Sequence, residues 1–173
     1  MPRSSAPAAP RPPHALQDAV LAGIHETVFP GDPVHDTELP ARDRLVACLR
    51  QLLAPAGTGE EARKTWATMH ETYFAREPTE EARQAYLVIE RRMRHRVEHW
   101  LSVLGDEGAL PRGDNAQRAE FLLTLVNGLM LERSLPGAEA LLTSETAPLF
   151  AAADSVLRGW DPCAVRHVSR PQV

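Results

Sequence analysis

Proline and glycine divide this sequence into segments that each carry apolar residues at helical spacing. In residues 14–29 apolar side chains recur every four positions, and Pro30 and Gly31 end the run. Further segments of helical period follow at 41–54, 60–76, 79–104, 114–135 and 138–158, the last with Pro148 as a candidate break. Runs of β-branched residues with period-two alternation are missing from the sequence. The pattern predicts an all-α protein of about six helices.

The clearest helix starts are at Thr79 and Asp114. Thr79 is a good N-cap, and the acidic residues Glu80 and Glu81 behind it suit the positive end of a helix dipole. Asp114 is expected to cap the next helix. Residues 1–13 carry five prolines and no apolar run, which predicts a disordered arm and argues against a signal peptide. We therefore expect one folded domain at 14–160, followed by a tail at 161–173.

Composition narrows the classes of function. The 173 residues are 43% hydrophobic, enough for one compact core, and the formal net charge is −4 with Lys64 as the only lysine. A protein that binds nucleic acid by itself usually has a basic surplus. Cys48 and Cys163 belong to no motif, which argues against a disulfide scaffold or a zinc site and favours a reducing compartment. The longest apolar stretch, 121–131, is too short to span a bilayer, so we expect a cytoplasmic protein with no membrane contact.

Two of the predicted helices differ in how their apolar residues are distributed around the axis. In the 79–104 helix one narrow stripe lies within roughly 40° of Met93, and it consists of Tyr86, Ile89, Val97, Trp100 and Leu104. In the 114–135 helix Phe121 and Leu125 lie on one side, while Leu123, Val126 and Met130 lie on the other. A helix of the second kind must be buried on more than one face, either at the centre of a monomer or against another subunit.

The 60–76 helix carries a candidate ligand-binding wall. Trp66, Met69, His70 and Tyr73 fall within an arc of about 100°. Apolar bodies with a few polar tips are how small-molecule pockets are built. The alternative is that this stripe is simply core, with His70 and Tyr73 hydrogen-bonded to neighbours. Asn127, an amide within an apolar helix, needs a partner when buried, which could be a ligand, a facing helix or another subunit.

The residues from His95 to His99 read H-x-x-E-H, the pattern of inverted zinc peptidases. Both histidines lie at about 200–240° from Met93, away from the apolar stripe, which favours two exposed histidines over zinc ligands.

The nearby basic run does not share one helix face, and it is formed by Arg91, Arg92, Arg94 and Arg96. Motifs for nucleophilic catalysis and phosphate binding are missing. We therefore expect no catalytic residue, metal or cofactor; the alternative is a small helical enzyme using His70, Tyr73 or the His95/His99 pair.

From Arg42 to Leu157 the chain resembles the C-terminal, ligand-sensing domain of TetR-family transcriptional regulators, with BetI-like members the most similar branch. The resemblance rests on four segments in order: RDRLVACLRQLL, EEARKTWATMHETYF, EEARQAYLVIERRMRHRVEHWLSVLGDEGAL and DNAQRAEFLLTLVNGLMLERSL. In the last of them Leu-Val-Asn-Gly-Leu stands at the family's frequent L-(V/I/L)-D-G-L position, so Asn127 replaces the commoner aspartate.

The resemblance implies an all-helical domain that pairs as a homodimer. The last two long helices of each subunit, here 114–135 and 138–158, would form a four-helix bundle, and the preceding helices would enclose a mostly apolar effector pocket. The positions that match pocket walls are Trp66, Met69, His70, Tyr73, Tyr86, Ile89 and Met93, with Asn127 as a further candidate. The dimer-interface candidates are Leu122, Val126, Leu129, Met130, Phe150 and Leu157.

The N-terminal region departs from the family pattern. Full-length members begin with a three-helix DNA-binding domain, and residues 1–13 are too few to hold it, while 14–21 resembles the start of the connecting helix. We therefore expect a module that binds a small apolar or amphipathic effector and dimerises, without its own helix-turn-helix. It would not bind nucleic acid directly, and it could form a heterodimer with a full-length relative. A ligand-free helical interaction module is the remaining alternative.

Overall fold

The structure, a computed structural model, describes residues 32–136 and 145–159. In these residues it contains five α-helices: α1 (Ala41–Leu53), α2 (Gly59–Tyr73), α3 (Glu80–Asp106), α4 (Asn115–Glu132) and α5 (Thr146–Leu157). Short 3-10 turns lie at Pro33–His35 and Ala54–Ala56. No strand occurs in the described parts of the chain, which confirms the all-α prediction. The predicted arm, the predicted helix at 14–29 and the tail lie outside the described residues.

The helix starts follow the predicted capping residues. The Thr79 hydroxyl accepts a hydrogen bond of 3.2 Å from the backbone N–H of Ala82 at the start of α3. Asp114 Oδ1 accepts from the backbone N–H groups of Ala116 and Gln117 at the start of α4. These side chains satisfy donors that have no partner within the helix, so both predicted caps are confirmed.

Pro148, the candidate break in the predicted 138–158 segment, lies close to the start of a described helix. It lies within the first turn of α5, which continues to Leu157. In the first turn a backbone N–H has no acceptor within the helix, so the missing N–H of proline costs little there. The predicted start at 138 lies outside the described residues.

The core lies between α1, α4 and α5, and the C-terminal half of α3 packs on it mainly through α4. Trp100 is the largest fully buried side chain, and Leu101 and Leu104 on the same helix are also fully buried. The other helices contribute Leu45, Leu49, Leu52, Leu53, Leu122, Val126, Leu149, Ala153 and Val156. Within the described residues no helix is long and apolar enough to cross a membrane.

Two arginines join the ends of the helices. Arg44 is only 5% exposed, and it donates to the Val34 carbonyl at 2.6 Å and to both carboxylate oxygens of Glu107. Arg133 donates to both oxygens of Glu145 and to the Leu53 carbonyl at 2.6 Å. Charge-assisted bonds of this bidentate kind are among the stronger hydrogen bonds in proteins. Arg44 therefore links the start of α1 to the end of α3. Arg133, at the end of α4, links the end of α1 to the start of α5.

One face of α4 packs in the core and the opposite face is open. The buried face includes Ala119, Leu122, Val126 and Leu129, whereas Glu120, Thr124, Asn127 and Leu131 are exposed. The flanking apolar residues Phe121, Leu123, Leu125 and Met130 are partly buried against the core. The apolar pattern on two sides of the helix therefore reflects a wide core-facing surface within the chain.

This arrangement corrects part of the predicted dimer interface. Leu122 and Val126 are fully buried and Leu129 is 5% exposed within the single chain, so none of the three has surface left for a partner. The three residues follow one another at spacings of four and three, so they share one face of α4, and that face packs in the core. Phe150 also has partners in its own chain, because Arg42 and Arg50 of α1 lie 4.9 and 5.9 Å from its ring. Met130 and Leu157 are half-buried at the edge of the core.

Candidate functional site

An open groove of about 290 Å³ lies between α2 and the C-terminal end of α4. It is lined by Arg63, Trp66, Ala67, His70, Glu71, Leu131, Ser134 and Leu135. The five residues from α2 are spaced as neighbours on one side of a helix, which is why a single helix can supply a whole wall. The volume is at the lower end of the range for small-molecule sites.

Aromatic rings extend the α2 wall of the groove. Phe74, the residue directly after α2, is 63% exposed, and its ring is stacked 6.1 Å from that of Trp66 and 6.2 Å from that of His70. Such stacked rings present a continuous apolar surface. Phe74 was not among the predicted site residues, although its place four positions after His70 was the signal that could have identified it.

The predicted pocket residues divide into two groups. Trp66 and His70 line the groove, while Tyr73 contacts Tyr86 of α3 with ring centroids 5.5 Å apart. Three others are half-buried and do not line the groove, namely Met69, Ile89 and Met93. The structure therefore places the seven predicted wall residues along the α2–α3 pair, and it brings only two of them into the groove.

Asn127 lies outside the groove and is exposed on α4. In the single chain its amide is open to water, because the residues of α4 that pack in the core lie on the other side of the helix. A ligand or a second subunit as the partner of Asn127 stays a prediction.

Of the polar groups that line the groove, the Ser134 hydroxyl donates to the Leu131 carbonyl at 2.7 Å, whereas three others have no protein partner in the part of the chain that the structure describes. Arg63 and Glu71 form no ion pair there, and the indole N–H of Trp66 makes no hydrogen bond. By contrast, Lys64 on the same helix pairs with Glu60 at 2.8 Å. The groove thus combines apolar surface with a guanidinium, a carboxylate and an indole N–H that are all available to a ligand.

Residues 41–154 match the family model described as the C-terminal domain of BetI-type transcriptional repressors. The chain belongs to the BetI-type repressor family. The matched region begins at the first residue of α1 and ends within α5, so it contains both walls of the groove. No curated protein and no solved structure showed a significant match.

The H-x-x-E-H sequence lies on the outer surface of the BetI-type domain. His95 and His99 are both exposed, and the nearest described ring to His99 is that of His35, at a centroid distance of 6.0 Å. Within the described residues no group of three or more histidine, cysteine, aspartate or glutamate side chains is placed to hold a metal ion. The spacing of the motif is therefore not accompanied by a sheltered ligand set.

The arginines of α3 serve different contacts in the BetI-type domain. Arg91 and Arg92 are exposed, Arg94 pairs with Glu90 one turn earlier, and Arg96 lies over the ring of Trp100 at 5.3 Å. They do not form one basic surface, as their different angles around the helix predict.

Asp32 joins two buried side chains in a way that the sequence did not reveal. The Trp100 indole N–H donates to Asp32 Oδ2 at 2.8 Å, and Cys48 Sγ lies 3.7 Å from Asp32 Oδ1. Burial and the neighbouring Asp32 carboxylate raise the pKa of the Cys48 thiol to about 12. The thiol is therefore protonated near neutral pH and is not a reactive nucleophile.

Proposed function

We propose that this chain is the sensing and pairing part of a BetI-type transcriptional regulator. Its groove would bind a small apolar or amphipathic effector, and it would act in the cytoplasm without a catalytic role. The observation that carries the proposal is the groove between two residues of α2, Trp66 and His70, and two leucines, Leu131 in the last turn of α4 and Leu135 just after that helix. The groove lies within the family match.

Helix α4 supports a link between effector binding and pairing. Its last turn contributes Leu131 to the groove, and its exposed face carries Thr124 and Asn127 further along the same helix. An effector that packs against the end of α4 acts directly on a helix available to a second copy. Binding can then favour one arrangement of the pair over another, as a regulator requires.

The pairing surface that we propose differs from the residues that sequence resemblance suggested. It consists of the exposed faces of α4 and α5, which include Gly128, Ala147 and Ala151. A side chain added at Gly128 would meet nothing within 4 Å among the described residues, so this position is open to a neighbour. Small residues allow two helices to approach closely. A homodimer, or a heterodimer with a full-length relative, would use this surface.

A thermal-shift screen with small apolar and amphipathic compounds tests the effector role. A compound at about one hundred times its Kd should stabilise the protein by about 2.7 kcal/mol. Trp66→Ala should abolish the response because it removes the central ring of the groove. Leu87→Ala is the matched control, since Leu87 is an exposed apolar residue that does not line the groove. A protein that responds to no compound is a ligand-free interaction module, and an equal loss in both variants would refute the assignment of the groove.

The mass of the protein in solution tests the pairing surface. Gly128→Arg should convert a dimer to a monomer because a long charged side chain would project into the proposed contact. Gly105→Arg is the control, because Gly105 also lies in a helix with open space around it but belongs to α3. Sedimentation equilibrium should show a loss of dimer only for Gly128→Arg, and an unchanged dimer in that variant would contradict this pairing surface.

We also propose that this chain does not bind operator DNA by itself. The net charge of −4 and the absence of a shared basic face among Arg91, Arg92, Arg94 and Arg96 support this view. A gel-shift assay with the 173-residue chain should show no sequence-specific complex. Specific binding that persists at high salt would overturn the proposal.

A further inference from the structure

The groove between α2 and α4 carries opposite charges near the two ends of its α2 wall. Arg63 and Glu71 are eight positions apart in the sequence, and both line the groove. At the rise of an α-helix their backbones are separated by about 12 Å along the axis. Trp66, Ala67 and His70 occupy the wall between them. The groove is therefore polarised along its length.

The middle of the groove is apolar and accessible. On the α2 side it is formed by Trp66, Ala67 and His70. The facing side is formed by Leu131, Leu135 and Ser134, whose hydroxyl is bonded to the Leu131 carbonyl. These leucines are 37% and 45% exposed, so a ligand body lying over them would remove apolar surface from water.

Neither charged end has an ion-pair partner among the described residues. Lys64, directly beside Arg63, is paired with Glu60 at 2.8 Å, and Arg83 at the start of α3 lies near Glu77 and Glu80. Arg63 and Glu71 have no such pair in the described parts of the chain, although they share one wall. They are available to a ligand that carries the complementary charges.

From this charge pattern, and resting on the proposed effector function, we infer that the groove binds an elongated zwitterion. Its carboxylate lies at Arg63, its apolar body lies over Trp66, Leu131 and Leu135, and its ammonium group lies at Glu71. A fatty acid or an alkylamine satisfies only one end. A zwitterion whose charges are close together could pair with both ends only if the two side chains converged, because they start from backbones about 12 Å apart.

Isothermal titration calorimetry with three eight-carbon compounds tests this inference. 8-Aminooctanoate carries both charges, octanoate carries only the carboxylate, and octylamine carries only the ammonium group. We expect 8-aminooctanoate to bind about threefold to fivefold more tightly than either singly charged compound, since ion pairs in an open groove are weak. Equal or weaker binding of 8-aminooctanoate, or no binding of any of the three, overturns the inference.

Two charge-removing variants assign the ends. In Arg63→Gln, 8-aminooctanoate should lose its advantage over octylamine, and octylamine binding should stay unchanged. In Glu71→Gln, 8-aminooctanoate should lose its advantage over octanoate, and the affinity for octanoate should stay unchanged. Lys64→Gln is the control on the same helix and should alter neither preference. Variants that weaken all three compounds equally would contradict the assignment of the charged ends.

The indole N–H resonances provide a second readout. The Trp66 signal, assigned by its loss in Trp66→Phe, should shift on titration with 8-aminooctanoate, whereas the Trp100 signal should not, because that N–H is bonded to Asp32 in the core. A shift of Trp100 without Trp66 would place the ligand elsewhere. If 1-octanol stabilises the protein as well as 8-aminooctanoate does, the zwitterion inference fails while the effector role stands. If no compound in the thermal-shift screen stabilises the protein, the zwitterion inference and the proposed effector role both fail.

Discussion

The two halves of α3 carry the same apolar stripe but have different surroundings. In the C-terminal half Val97, Trp100 and Leu104 are fully buried, whereas in the N-terminal half Tyr86 is 45% exposed. Leu87 and Val88, beside Tyr86 on the helix, are also exposed. In the C-terminal half α4, α1 and the turn at Pro33–His35 supply the opposing core residues, while Tyr86 is in ring contact only with Tyr73 of α2 among the described residues. The comparison shows that a stripe specifies which side of a helix packs, while neighbouring helices decide how fully it is covered.

The largest expected difference between the halves is in stability. Trp100→Ala should lower the free energy of unfolding by about 3–5 kcal/mol, because it leaves a cavity in the core and removes the partner of Asp32. Tyr86→Ala should cost less than about 1 kcal/mol, because nearly half of its surface is already in water. Urea unfolding followed by circular dichroism measures both.

The milder Trp100→Phe keeps the comparison measurable if Trp100→Ala does not fold. It should lose less stability than Trp100→Ala but more than Tyr86→Ala. Equal losses at Trp100 and Tyr86 would mean that the two halves of α3 are covered to the same extent in solution.

A smaller difference in the free energy of unfolding is expected when the ion pairs at the two ends of α3 are removed. Glu107 at the C-terminal end accepts two bonds from the buried Arg44, and this hydrogen bonding holds its pKa below the ordinary value of 4.5. A carboxylate with a lowered pKa stabilises the fold above its unfolded pKa, and this contribution is lost as the pH falls through its folded pKa. Glu107→Gln should therefore destabilise the protein at pH 7, and the difference from the unmodified protein should shrink at pH values below 4.5.

Glu80 at the N-terminal end of α3 provides the matched control. Its pair with Arg83 is exposed, and Glu80→Gln should change stability by less than about 0.5 kcal/mol. Unfolding free energies measured across the pH range test both variants. A loss for Glu107→Gln that stays constant down to pH 2 would show that the carboxylate charge does not contribute.

Local sequence rules succeeded where the cause is local. Thr79 and Asp114 cap α3 and α4 as predicted, because a capping side chain bonds to backbone groups only two or three residues away. The five described helices follow the predicted segments because apolar spacing and helix-breaking residues act within a few turns. His95 and His99 are exposed, as their angles relative to the apolar stripe indicated.

The same rules failed where a second element decides the outcome. Leu122 and Val126 were assigned to a partner subunit, yet they pack in the core of their own chain. The spacing of apolar residues shows that one face of a helix is apolar. It does not show whether that face packs on helices of the same chain or on a second copy of the chain. Phe74 was missed because its stacking on Trp66 and His70 depends on how the chain turns after α2.

The sequence by itself determined the all-α class, the helix starts and the membership in the BetI-type family. These properties follow from spacing, capping and residue order, which are written along the chain. Only the tertiary structure decided that α2 and the end of α4 form a groove and that Asp32 bonds Trp100 across the core. Residues far apart in sequence meet there, since helix packing selects one arrangement from many that the same apolar stripes would allow.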